Sequence, residues 1–128
     1  MAWSSTEKLD FKKKMELRTR KFSVHVFRYL DALPNSNSSR VIAYQLGKSA
    51  SSVGANYREA NRCESADDFA HKIAIVLKEC SESLYWLEIL MELRPGSETC
   101  TKLLAECNEL LRIFQSAGLK MKMRKTLC

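Results

Sequence analysis

Between Ile42 and Arg62 the chain carries small residues at a density that limits what can pack beside it. Ile42, Leu46, Ser49, Val53, Asn56 and Ala60 recur in steps of four and three, which puts them on one stripe of a helix. Gly47, Ala50, Ser52, Gly54 and Ala55 flank that stripe. Side-chain size at the contact sets how closely two helices pack, so a neighbour can come unusually near here. Gly47 and Gly54 each cost about 1 kcal/mol of helix propensity relative to Ala. The segment therefore needs partners on both sides, and it reads as the central helix of a bundle. Asn56 has two readings. It either makes a buried hydrogen bond that fixes register, or sits at the stripe edge and bonds water. The buried bond is the expectation.

Three further helices are predicted around it. Residues 6–33 keep a stripe of Phe11, Met15, Phe22, Val26, Tyr29 and Leu33, interrupted at Arg18 or Thr19. Thr6 is a candidate cap, and Pro34 disfavours helix at Leu33. The run from Pro34 to Ser39 is loop chemistry, with Asn37, Ser38 or Ser39 available to cap a second helix over about 39–63. Ser65 and Asp68 resemble a capping box for a third helix over 66–93. Its main face is Phe69, Ile73, Val76, Cys80, Ser83, Leu87 and Leu90, and a second face bears Trp86. Such a helix is expected to touch something on both sides. Arg94, Pro95 and Gly96 stop it, and Ser97 is the candidate cap of a fourth helix. That helix runs over about 98–117, or on into the tail, through Cys100, Leu103, Cys107, Leu110 and Phe114. Residues 118–128 read as a solvated basic tail. Four helices of this length with short connections predict a single domain, an all-α antiparallel up-down-up-down four-helix bundle spanning 1–128.

Composition narrows the function classes. A chain of 128 residues can bury a core without disulfides or metal. No apolar run approaches the length of a membrane span, so no membrane role is expected. The first residues lack the apolar stretch of a secretion signal. Five cysteines with no CxxC spacing suit a reducing cytoplasm, which is the expected location. The net charge is +6, unevenly spread. Residues 1–33 hold eight Lys/Arg against four acids, whereas residues 65–93 hold two against six. The tail has Lys120, Lys122, Arg124 and Lys125 with no acid. Basic ends suit a polyanion, an acidic protein partner or the acidic helix of another subunit, and they also suit a merely solubilising surface.

No catalytic chemistry stands out, and no catalytic, cofactor-binding or metal residue is assigned. A di-metal bundle site needs Glu-x-x-His pairs, and neither His25 nor His71 follows a Glu by three. Glu79 and Glu82 alone are a weak metal signal. There is no phosphate loop and no Cys/His nucleophile arrangement. Arg58, Glu59 and Arg62 on the second helix could pair with Glu79, Glu82 and Glu88 on the third.

Gln45, Ser49, Ser52, Asn56, Tyr57, Glu59 and Ala60, then Ser65, Asp68 and Phe69, then Glu82, Trp86, Leu87 and Glu88 resemble a bacterial four-helix-bundle family. That family comprises the proteins encoded in intervening sequences of 23S ribosomal RNA genes, once labelled a ribosomal protein. The strings from Gly54 to Ala60 and from Ser83 to Glu88 are the most specific, and the likeness runs from about Phe22 to Phe114. Ala60 stands where many members have Gly. The resemblance implies a homo-oligomer, a ring-like pentamer by family precedent. A more distant similarity is to the accessory variability proteins of diversity-generating retroelements, which bind a reverse transcriptase and nucleic acid. No reaction is implied.

Two functions compete. In the first, a non-enzymatic oligomeric bundle binds RNA or another nucleic acid. Its candidate phosphate contacts are Lys12, Lys13, Lys14, Arg18, Arg20 and Lys21, with Lys120, Lys122, Arg124 and Lys125 of the tail. In the second, the chain is an interaction scaffold whose basic first helix docks on the acidic third helix of a neighbour. Asn56, Glu59, Arg62, Glu79, Glu82 and Trp86 are then the register or subunit contacts. An enzymatic site near Asn56, Glu59, Glu79 and Glu82 is the least favoured reading.

Overall fold

A computed structural model describes residues 3–127, with side chains described through Gly118. It contains four helices: α1 (Ser5–Asp31), α2 (Asn37–Ala60), α3 (Ala66–Leu93) and α4 (Glu98–Leu127). Each begins at a serine. Ser4, Ser36 and Ser65 accept from the backbone N–H groups of Glu7, Ser39 and Asp68 at 3.1 Å. Ser97 accepts from Cys100 N–H at 3.2 Å. Each cap satisfies an otherwise orphaned donor, a contribution of about 1 kcal/mol. The Ser65 and Ser97 caps match the sequence expectation; Ser4 replaces Thr6, and Ser36 replaces the residues after it. Gly96, at φ 87°, makes the turn between α3 and α4 in a backbone region that side chains rarely enter. The backbone of α4 continues to Leu127, so helix extends through residues read from sequence as tail.

The helices form an all-α four-helix bundle in which each packs on its neighbours in chain order and α1 closes onto α4. The α2–α3 contact is the most extensive and α1–α4 the least. Phe22, Leu46, Val53, Ile73, Leu87, Leu110 and Phe114 are among the fully enclosed side chains. No helix among the described residues is long and apolar enough to cross a membrane.

Small residues on α2 do what their density implied. A Cβ placed on Gly54 would lie 3.1 Å from Thr19 Oγ1 and 3.4 Å from the Thr19 backbone carbon. The fully buried Thr19, which breaks the apolar stripe of α1, hydrogen-bonds the Met15 carbonyl at 2.8 Å. Ser23 donates to the Ala50 carbonyl at 3.1 Å across the same crossing. On the other side of α2, the buried Ser83 hydroxyl donates to Ser49 Oγ at 2.9 Å. That bond joins α2 to α3 in the core.

The register expectation for Asn56 is corrected here. Asn56 is half-buried and donates to the Ser52 carbonyl of its own helix at 2.8 Å. Tyr57 takes the buried place and packs its ring on Phe114 at a centroid distance of 5.1 Å. His25, next to the buried Val26, is exposed.

Cys80, Cys100 and Cys107 are buried and free. Burial pushes the Cys107 thiol up to about 12, with Glu106 and Glu88 adding to it. Burial raises Cys80 further still. These thiols act as small core hydrophobes. Cys128 lies outside the described residues.

Candidate nucleic-acid interface

Helix α1 presents its cations around its outer faces because its apolar residues recur at helical spacing and claim the inner one. Lys12, Lys13, Lys14, Arg20 and Lys21 are all exposed. None of them has an ion-pair partner among the described residues. Arg18 differs. Its Nε and Nη2 donate to the two carboxylate oxygens of Glu106 on α4 at 2.8 and 2.7 Å. The Glu106 hydrogen bond raises the Arg18 pKa above its ordinary value, against the effect of burial. Arg18 is thus matched within the bundle and closes α1 onto α4. The side chains of Lys120, Lys122, Arg124 and Lys125 lie outside the described residues.

A cleft of about 500 Å³ opens between α1 and α2 beside the close crossing. Gly54, Ala55 and Ser51 line it, and Arg20, Arg58 and Arg62 converge on it with Glu16 and Glu59. The small residues that bring α1 near also leave room above them. Glu16 organises the charges. Its Oε1 lies 3.4 Å from Arg58 Nε and 3.9 Å from Arg62 Nη1, while Oε2 accepts from Asn61 Nδ2 at 3.0 Å. Arg62 Nη1 also donates to the Arg58 carbonyl at 3.0 Å. Glu59 turns to Lys72 on α3 at 2.6 Å. That hydrogen bond raises the Lys72 pKa above its ordinary value. The three guanidiniums outnumber the two carboxylates, and Arg20 has no carboxylate partner among the described residues. Guanidinium groups held this way can take phosphate oxygens with two parallel hydrogen bonds.

The pairing expected between α2 and the acids of α3 does not form. Arg58 and Arg62 turn to α1, and Glu59 pairs with a lysine of α3. Glu79, Glu82 and Glu88 have no ion-pair partner among the described residues. Burial holds the Glu79 carboxyl above its ordinary range, with Glu82 adding to it. Trp86 is half-buried and packs against the core; its Nε1 is enclosed without a hydrogen-bond partner. The fold therefore divides the expected subunit contacts. Arg62 and Glu59 sit at the arginine cleft, and Glu79, Glu82 and Trp86 lie along α3. Arg58 was read from sequence only as an ion-pair partner. Its i+4 spacing to Arg62 on one helix face was the available signal for the cleft.

Among the described residues, no group of three or more His, Cys, Asp or Glu side chains converges to hold a metal. The molecule belongs to the class of all-α four-helix-bundle proteins.

The chain belongs to the 23S rRNA-intervening sequence protein family, whose model matches residues 8–116. It is similar to a crystal structure of a protein of unknown function from the S23 ribosomal protein family of Bacteroides thetaiotaomicron. The two are 29% identical with a TM-score of 0.73, and the match covers 80% of this chain and 96% of that one. No curated protein matches the chain.

Proposed function

We propose that the protein binds RNA or another nucleic acid without catalysing a reaction, holding phosphates along α1 and in the arginine cleft. The observation that carries this reading is the set of exposed α1 cations without carboxylate partners, next to three converging arginines. Cations already neutralised inside a fold have little to offer a polyanion. The exposed α1 cations have no ion-pair partner among the described residues, and Glu16 offsets only part of the charge of Arg58 and Arg62. Contacts of this kind read backbone charge, so binding is salt-dependent and weakly sequence-specific. The test is binding to a structured RNA across a salt series. Replacing Lys12, Lys13 and Lys14 with Gln lowers the slope of log affinity against log salt by about two if all three touch phosphate on a single strand. A slope and affinity equal to wild type refute a role for that face.

The second reading is a scaffold that assembles with itself, and it draws on α3. Glu79, Glu82 and Glu88 form no ion pair among the described residues, and the enclosed Trp86 Nε1 lacks an acceptor there. A basic α1 from another copy would complement that face, and a ring-like homopentamer is the assembly this reading takes. An acidic protein partner would instead seek α1. Light scattering tests self-assembly directly. Trp86→Ala lowers the mass in solution if the ring forms through α3, and an unchanged mass removes Trp86 from the interface.

A further inference from the structure

At the end of the bundle where α2 finishes, a small cavity of about 130 Å³ opens beside the arginine cleft. Its walls include Trp3, Phe11, Tyr57 and Phe69. Trp3 is half exposed and leans on Phe11, with ring centroids 5.0 Å apart at 57°. The cavity is much smaller than the roughly 300–1,000 Å³ of sites that engulf a drug-sized ligand. It suits one small planar ring. Aromatic walls offer stacking and edge contacts to such a ring whatever its exact identity.

Two polar features distinguish this cavity from a simple gap in the core. Asn61 lines it, and Asn61 Oδ1 is enclosed with no hydrogen-bond partner. The amide orientation is fixed from the other side, because Nδ2 donates to Glu16. An enclosed carbonyl oxygen without a donor is costly, and a ligand N–H would relieve that cost. Lys8 and Lys12 also line the cavity, and both are exposed. The ring that enters is therefore expected to carry an N–H donor and to be attached to an anion.

Asn61 connects this cavity to the arginine cleft. It bonds the same Glu16 that Arg58 and Arg62 approach, and Tyr57 in the cavity wall directly precedes Arg58 in the cleft. One joint thus carries an aromatic pocket on one side and guanidiniums on the other.

We infer that this aromatic cavity receives a single unstacked pyrimidine base of a single-stranded nucleic acid, while its neighbouring phosphates lie on Lys8, Lys12 and the arginine cleft. The inference rests on the nucleic-acid reading and adds its recognition mode. A ring N–H of uracil or the amine of cytosine donates to Asn61 Oδ1, and the base stacks on Trp3. A base inside a duplex is already stacked and paired, so the site favours single strands.

The test compares a single-stranded oligouridylate with an abasic oligomer of the same length and charge, on the full chain at fixed salt. The expected result is binding about tenfold or more tighter for the oligouridylate, the scale of one aromatic–base stack. Oligouridylate also quenches tryptophan emission in wild type more than in Trp3→Phe. Trp3→Ala abolishes the affinity difference and Trp3→Phe restores most of it, while binding of the abasic oligomer is the same in all three proteins. Asn61→Leu reduces the difference while Trp3 stays in place. Equal affinity for the two oligomers in wild type overturns the base pocket and leaves the phosphate reading standing. A full affinity difference in both Trp3→Ala and Asn61→Leu places the base elsewhere and also overturns it. Binding of neither oligomer ends both readings.

Discussion

Two glycines on α2 should respond in opposite directions to the same substitution. Either Gly→Ala change removes backbone freedom from the unfolded chain and gains about 0.5–1 kcal/mol in a helix interior. What the new methyl meets decides the outcome. At Gly47 the nearest atom is Phe27 Cε1 at 3.0 Å. Phe27 is 45% exposed, so its ring can turn outward at little cost. Gly47→Ala is expected to stabilise by about 0.5 kcal/mol. At Gly54 the neighbours are Thr19 Oγ1 at 3.1 Å, Cβ at 3.3 Å and the backbone carbon at 3.4 Å. Thr19 is fully buried and its hydroxyl is held by the Met15 carbonyl, so none of these atoms yields without moving α1. Overpacking of this kind costs about 1–3 kcal/mol, which exceeds the propensity gain. Gly54→Ala is expected to destabilise by about 1–2 kcal/mol. Urea unfolding followed by far-ultraviolet circular dichroism, at one fixed protein concentration, measures both. Thr19→Ala in the Gly54→Ala background should recover part of the loss through a positive coupling between the two sites. If Gly54→Ala stabilises as much as Gly47→Ala does, α1 and α2 are not packed tightly at this crossing.

Two other predictions follow from the core. Ser49→Ala leaves the buried Ser83 hydroxyl without its partner, at about 1–3 kcal/mol, and Ser83→Ala costs less because Ser49 still donates to the Leu46 carbonyl at 3.3 Å. The double variant should cost less than the sum, and strict additivity in urea unfolding would show that the two hydroxyls do not interact. The raised thiols make a pH prediction. A thiol whose folded pKa lies above its unfolded value of about 8.5 contributes stability below that pH and loses it as pH rises towards the folded value. With Cys107 pushed up to about 12 and Cys80 higher, unfolding free energy should fall as pH climbs above about 8.5. Cys107→Ala should flatten that decline, and a wild-type profile flat to high pH would contradict the buried thiols.

The four helices were legible because each is long and keeps its apolar period over many turns, and Pro34 and Gly96 mark two of the boundaries. Individual positions were less legible, for identifiable reasons. The stripe written through Ile42, Leu46, Ser49, Val53 and Asn56 assumes a repeat of 3.5 residues. A straight helix drifts about 20° per heptad from that repeat. That drift is about 40° from Ile42 to Asn56, less than the about 100° between neighbouring residues, so it does not decide the exchange alone. The buried face also takes in Ala50 and Tyr57, which leaves Asn56 at its edge, and the Tyr57 ring finds Phe114. At the start of α1, Ser4, Ser5 and Thr6 can all cap, and from Ser36 onward α2 offers a similar choice, so sequence alone picks neither frame.

The candidate site was half legible for a different reason. That α1 is rich in cations is a local fact, visible in composition. Which cations stay available is a tertiary fact. Arg18 and Glu106 are 88 positions apart, and no spacing rule joins them. The same holds for Glu16, which reaches across to Arg58, Asn61 and Arg62 near the end of α2. Glu16 has a double effect. It offsets part of the arginine charge, and it draws two guanidiniums and one amide towards a cleft that Gly54 and Ala55 line. A surface lysine offers a polyanion charge alone, on a stem that loses rotamer freedom on binding. An arginine already tethered by a carboxylate has lost much of that freedom before the ligand arrives. The small residues of α2 therefore serve packing and recognition together. They let α1 come close enough for Glu16 to reach α2, and they leave open the cleft in which the arginines are held.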